Sequence, residues 1–378
     1  MKRAKLCLMI VVIASNLPAN GQMGSFVPTG TMNAARSQHT ATLLNDGRVL
    51  ISGGVGNSLL ASAELYDPST GTFATTGSMT TARRMHTATL LPNGQVLIAG
   101  GFDTATAEIY DPTAGTFTPT GSLLEDQGGH TATLLPNGKV LIAGGERSSP
   151  PWPTAARPEL YDPESGTFSF AHEYAEGGTL YLAGGPIWPT ANLLRDGRVL
   201  IVGENPPEIY DPATENFTIT GRLIEYPYGM DWHASRTLRD GTVLVTGGND
   251  DDTCGGFDFA EIYDPSSGSF SVVGPMTEPR DIHTATLLPD DAVLIAGGGE
   301  GWCGSPTHDT AELYIPSTRS FVAAGRMTVS RTSHTATLLN DGTVLIAGGD
   351  SYWPYTVTNS AELYRPVDSR SGRIRTRR

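Results

Sequence analysis

Along this chain the apolar positions fall in short runs and never settle into the three-to-four-residue recurrence of an amphipathic helix. The runs come in a fixed order. HTATLL, starting at His39, alternates hydroxyl and apolar side chains, and VLISGG, starting at Val49, is continuously apolar up to a glycine doublet. AELY follows, ending in Asp-Pro at Pro68, and then TFATTG, in which an aromatic is set among small polar residues. β-Branched and aromatic runs punctuated by Gly, Pro, Asn and Asp read as strands joined by tight turns. The two-residue Asn-Gly or Asp-Gly connection between the first two runs predicts a type I′ hairpin, and Asp-Pro-x-x-Gly predicts the turn into the fourth strand.

This order repeats. The first run recurs at His86, His130, His283 and His334, in altered form at His233, and once more at Thr190 with Pro189 in the histidine's place. Closely similar third runs end at Pro112, Pro163, Pro212, Pro265, Pro316 and Pro366. The spacing of 44 to 59 residues suits the blades of a propeller, whose four-stranded sheets bury their faces only against one another. The seventh copy lacks its fourth strand, because Ser371 stands where Phe is expected. Phe26, Gly30 and Met32 reproduce at the N-terminus the spacing of Phe73, Gly77 and Met79. The expected fold is therefore all-β: a seven-bladed propeller of four antiparallel strands per blade, its last blade closed by the N-terminal strand.

The Gly-Gly doublet followed by a spaced Tyr and a second aromatic resembles the Kelch repeat, and with it the propeller domain of galactose oxidase and glyoxal oxidase. Phe stands where many Kelch repeats carry Trp. The resemblance runs from about Phe26 to Pro366 and speaks to fold rather than activity. A copper-radical oxidase of that family implies two tyrosines, two histidines and a thioether-linked cysteine, one ligand pair being an adjacent Tyr-His. This sequence has no Tyr-His dipeptide.

Before the propeller, Lys2, Arg3 and Lys5 precede an apolar run from Leu6 to Ala14 and a small-residue stretch. That is the layout of a cleavable export signal over residues 1–21, and the run is too short to span a bilayer. A secreted or periplasmic protein is expected, with the propeller over 22–366 and a basic, disordered tail over 367–378. Loss of the signal takes the formal charge from −14 to −17, which makes nucleic acid a poor partner. A monomer with no membrane span is expected. Of the cysteines, Cys254 and Cys303 remain after cleavage, in equivalent loops of neighbouring blades, and a disulfide between them is expected.

Residues repeated in every blade serve the blade, so the recurring histidines are expected to be structural, not metal ligands. The same holds for the repeated tyrosines, while Arg36, Arg83, Arg280 and Arg331 could ring a channel mouth. The acidic loop of Asp250, Asp251, Asp252 and Asp258 reads as solvated, lacking calcium-site spacing. Binding is expected where the repeat breaks, on the face bearing the variable loops. Candidate ligand-binding residues there are Trp152, Trp188, Tyr228, Trp232, Trp302, Tyr352, Trp353 and Tyr355. They point to a non-catalytic module binding glycan or protein, with no cofactor and no catalytic residue assigned. The enzymatic alternatives are a galactose or glyoxal oxidase-like chemistry and a mutarotase-like one, the latter with Glu204, Glu225 or His233 as conceivable acid and base. A scaffold or assembly role is the third class.

Overall fold

The structure, a computed structural model, describes residues 24–147, 156–171, 188–203, 206–226, 230–249, 255–301, 306–352, 355–368 and 373–374. It is all β. Seven four-stranded antiparallel sheets follow one another in the chain, and their inner strands touch in a closed ring. Blade one is Thr40–Leu43, Val49–Ser52, Ala63–Asp67 and Thr72–Thr75, in that order from axis to rim. The expected closure is present. Gly24–Pro28 pairs antiparallel with Ala361–Asp368, placing Phe26 opposite Tyr364 at the rim of blade seven. Within the segment expected to be a tail, that third strand continues to Asp368 and pairs with Arg373–Ile374.

The inner hairpins differ from the expected type I′. A type I′ turn needs positive φ at two residues, but in blade one only Gly47 (φ 87) is left-handed. Its amide donates to the Leu44 carbonyl at 2.9 Å, and the Leu44 amide to the Arg48 carbonyl at 2.8 Å. The connection is thus a three-residue loop, a type I turn closed by a left-handed residue. The Gly doublets behave as expected: Gly54 has φ 93, and a Cβ there would lie 2.5 Å from the Ser37 carbonyl oxygen.

Each core lies between blades. At the junction of blades seven and one, Val49, Ile51 and Tyr66 pack on Leu345, Ala347 and Ala361. Burying a side chain of this size contributes roughly 1.5–3 kcal/mol, and the ring repeats the junction around the axis. The tyrosine of each third strand lies against the aromatic of the fourth, as in Tyr66 with Phe73 at 4.8 Å.

Two polar devices join this apolar packing. Each recurring histidine sends Nε2 to a hydroxyl of the preceding blade: His86 to Thr40 at 3.1 Å, His130 to Thr87 at 3.0 Å, His233 to Thr190 at 2.8 Å. Burial drives these rings toward the neutral form, lowering His130 and His233 to about 4. Arg36, Arg83, Arg280 and Arg331 do not line a channel mouth. They are fully buried, each paired with the glutamate of its AELY-type strand, as Arg331 with Glu362 at 2.8 Å. Each also donates Nη1 to the first carbonyl of the Gly doublet at 2.7 Å.

Candidate functional site

The residue just before the histidine position sits at the mouth of the axis, on the variable-loop face. There Gln38, Met85, Gly129, Trp232, Ile282 and Ser333 all have positive φ. The left-handed turn lets backbones join across blades: the Met85 amide donates to the Gln38 carbonyl, Gly129 to Met85, and Ile282 to Trp232, at 2.9–3.1 Å. For Trp232 (φ 57) and the β-branched Ile282 (φ 48) that conformation is strained, and strain of this kind gathers at functional sites.

One arc of the mouth is aromatic. Trp188 occupies the same repeat position in blade four as Trp232 does in blade five, and their rings stack at 3.9 Å and 23°. Trp188 also lies over Gly129, where any Cβ would collide with its ring, and 5.8 Å from Phe102. Arg84 stands over Phe102 at 5.1 Å and donates Nη1 to Gln38 Oε1 at 3.2 Å.

The other arc carries acids. Two residues before the histidine position, Asp231 and Asp281 bridge to the loops after the second strands, at Asn249 and Gly299 respectively. Asn249 Nδ2 donates to Asp281 Oδ2 at 2.7 Å. Asp281 is 0% exposed, and burial pushes its carboxyl up to about 6, against the opposing pull of Asn249 and the Gly299 and Gly301 amides. The Tyr352 ring shares the space above Gly299 with that carboxylate, since a Cβ on Gly299 would be 2.5 Å from Tyr352 Cε2 and 3.4 Å from Asp281 Oδ1. Burial, then the charges of Asp281 and Asp350, push the Tyr352 phenol well above its usual range. Thr332 Oγ1 donates to Asp350 Oδ1 at 2.6 Å. The arcs meet where Ile282 bonds Trp232.

Of the residues singled out from sequence, Trp188, Trp232 and Tyr352 are brought to this mouth. Tyr355, 61% exposed, stands on the short hairpin Asp350–Tyr352/Tyr355–Val357, within reach of the Arg84 charge. Trp152, Tyr228, Trp302, Trp353, Cys254 and Cys303 lie outside the described residues, as do Glu204 and Asp250 to Asp252. His233 is locked in the ring by its bond to Thr190 at 2.8 Å, and the Glu225 backbone amide donates to Glu261 at 2.9 Å. Sequence reading passed over Asp281, Asn249, Arg84 and Phe102. Their signal was available in outline: each lies within three residues of a histidine or a Gly doublet, at positions where the blades differ. Surface depressions also lie on the opposite face, between hairpins of adjacent blades. They recur with the repeat and gather no comparable chemistry.

No family model matches the chain, and no curated protein does. Among solved structures it aligns with a fungal alcohol oxidase of the AA5 family, in complex with copper: TM-score 0.76, 18% identity, 94% of this chain and 79% of the other. The fold is thus a galactose-oxidase-like propeller. The likeness overturns the expectation of a non-catalytic glycan or protein binder, because the neighbour is an oxidase and favours the enzymatic alternative. At this identity it carries the fold, and chemistry has to be read from this chain. The copper of that family finds no fitting donor set among the described residues. No three His, Cys, Asp or Glu side chains converge there, and the recurring histidines are bonded into blade interfaces. No step is therefore derived through copper.

Proposed function

We propose that this protein is an enzyme acting by proton transfer on sugar-like hydroxylated substrates at the variable-face mouth, in the manner of a mutarotase. The observation that carries the reading is the buried Asp281 carboxylate set beside the Tyr352 phenol, at the edge of the Trp188–Trp232 stack. A stacked indole pair offers a flat apolar face of the kind sugar rings cover. Tyr352 is half-buried and its hydroxyl is enclosed on the Asp281 side, so a substrate reaches it only as that corner of the mouth opens. Tyr352 takes the proton of the anomeric hydroxyl while passing its own to Asp281. The ring C–O bond opens as its oxygen receives a proton from mouth water. Rotation and the reverse transfers close the other anomer, so no oxidant is consumed.

Anomer interconversion of an aldose panel, followed by NMR, tests this. Wild type should exceed the spontaneous rate, rising with pH through about 6 as Asp281 ionises. Asp281→Asn should lose about 100-fold or more, the usual contribution of a positioned acid or base. Absence of acceleration in wild type would sink the reading, and copper-dependent oxidation of alcohols would replace it with the oxidase alternative. Export by the 1–21 signal and the Cys254–Cys303 disulfide belong to the same proposal. Mass spectrometry of the mature, non-reduced chain checks both.

A further inference from the structure

The inner strands bound the axial channel, because each is paired on one edge only and faces the axis with the other. Their residues are nearly all uncharged. Three residues after the histidine position the blades carry Thr42, Thr89, Thr133, Asn192, Arg236, Thr286 and Thr337. Threonine fits between inner strands there: Thr42 is 9% and Thr286 6% exposed. Arginine is too long to do the same, and Arg236 is exposed, with the channel as the solvent its strand borders. No acid sits on any inner strand, and among the described residues the guanidinium has neither hydrogen bond nor ion pair. Although solvent reaches its side chain, the protein around it still strips away part of its hydration, and that desolvation is the one cause lowering its pKa, with no carboxylate acting on it. Repeated acids at the hairpins are engaged elsewhere, as Asp196 with Arg198 and Asp291 with Arg239. Other arginines of the propeller find an acid: Arg36, Arg83, Arg280 and Arg331 inside the blades, Arg157 and Arg326 at the surface.

We infer that the axial channel is a binding site for a small oxyanion, held by Arg236 among the inner-strand hydroxyls. A guanidinium presents a planar fork of donors matched to two oxygens of a phosphate, sulfate or carboxylate, and a channel walled by protein screens that pair less than bulk water does. Hydroxyl and amide groups on the neighbouring inner strands can supply further donors, as Asn192 already does toward Ser235. The site is separate from Asp281 and Tyr352, so it stands or falls independently of the proposed reaction.

Calorimetric titration of the full chain in an anion-poor zwitterionic buffer tests it, with inorganic phosphate, sulfate and acetate as separate probes. Wild type should bind at least one saturably at one site per chain, and the ranking tells an inorganic oxyanion from a carboxylate. Arg236→Thr restores the residue that five other blades carry and should weaken binding at least tenfold with the melting temperature in water-matched buffer preserved. Arg236→Lys, which keeps the charge and loses the fork, should fall between the two. Equal affinity in wild type and Arg236→Thr, or no saturable binding of any probe to wild type, overturns the inference.

Discussion

Blades two and four are built to one pattern, yet they differ at three of the polar contacts the pattern provides. In blade two, His86 bonds Thr40, Arg83 pairs with Glu108 at 3.0 Å, and the Tyr110 hydroxyl meets Thr76 at 2.8 Å. In blade four, Pro189 replaces the histidine, Ala171 replaces the threonine that would meet Tyr210, and no described arginine reaches Glu208. The mates stay behind. Tyr210 Oη and Glu208 Oε2 have no hydrogen-bond partner among the described residues, and burial pushes Tyr210 up to about 12 and Glu208 to about 7. Both blades nevertheless keep the same strands and the same apolar junctions. The polar locks therefore tune a blade that its apolar faces already define. It is also blade four that contributes Trp188, so the mouth gains its aromatic stack where the pattern is most altered.

The largest effect should come from breaking a lock where it exists. Arg331→Met leaves Glu362, 0% exposed, without its guanidinium, and should cost about 3–5 kcal/mol, the usual loss when one partner of a buried pair is removed. The companion change Glu362→Leu in that background should return most of it, because a buried ion pair and an apolar pair of similar volume are close in stability. Chemical denaturation of the three variants measures this. An Arg331→Met loss under 1 kcal/mol would mean that blade seven needs its lock no more than blade four does.

The opposite change belongs to blade four. A carboxyl whose folded pKa is raised from 4.5 to about 7 is tolerated while protonated. Its favourable contribution is complete below the unfolded value and is lost as pH rises through the folded one. Glu208→Gln mimics the protonated form, so it should change little at pH 4 and stabilise by roughly 2–3 kcal/mol at pH 8. The histidine ring has the reverse sign: with His39 and His283 lowered to about 3, its contribution is lost as pH falls below 6.5. Melting curves of wild type and Glu208→Gln across pH 4–8 separate the two trends. A constant offset between the curves would show that Glu208 does not titrate as described.

Much of this was legible in the sequence, and the part that was not has a physical reason. Strand order, blade number and the closure of Phe26 on Tyr364 follow from spacing, because a propeller stacks one unit on the next and any error would break the ring. The hairpin type was misread since Asn-Gly and Asp-Gly serve both two-residue and three-residue loops, and the difference lies in whether the residue before Gly has positive φ. The burial of Arg36 and its equivalents could not be seen, because their partner glutamates lie 25 to 32 residues away on a strand that reads as half polar. Trp188 and Trp232 were picked out as aromatics, but their stacking depends on both holding the position before the histidine in consecutive blades. Asp281 was hidden for the converse reason. Nothing in Arg-Asp-Ile-His marks its carboxylate as the one that Asn249 and the Gly299 loop enclose.

The smallest effect concerns a lock that has moved. In blade five the hydroxyl that should meet the next histidine is missing, because Ala234 stands where blade one has Thr40. Thr246, at the end of the neighbouring strand, supplies it instead and meets His283 Nε2 at 2.9 Å. Ala234 pairs with Thr246 in the sheet, so the hydroxyl has crossed one strand while the histidine has stayed in place. Thr246→Ala should then cost about 1–2 kcal/mol, the price of a buried ring nitrogen left without a partner. Adding Ala234→Thr should restore the arrangement of blade one and recover most of the loss. A double variant no more stable than Thr246→Ala alone would show that blade five cannot take the hydroxyl back, and that its sheet has become specific to the substitution rather than merely tolerant of it.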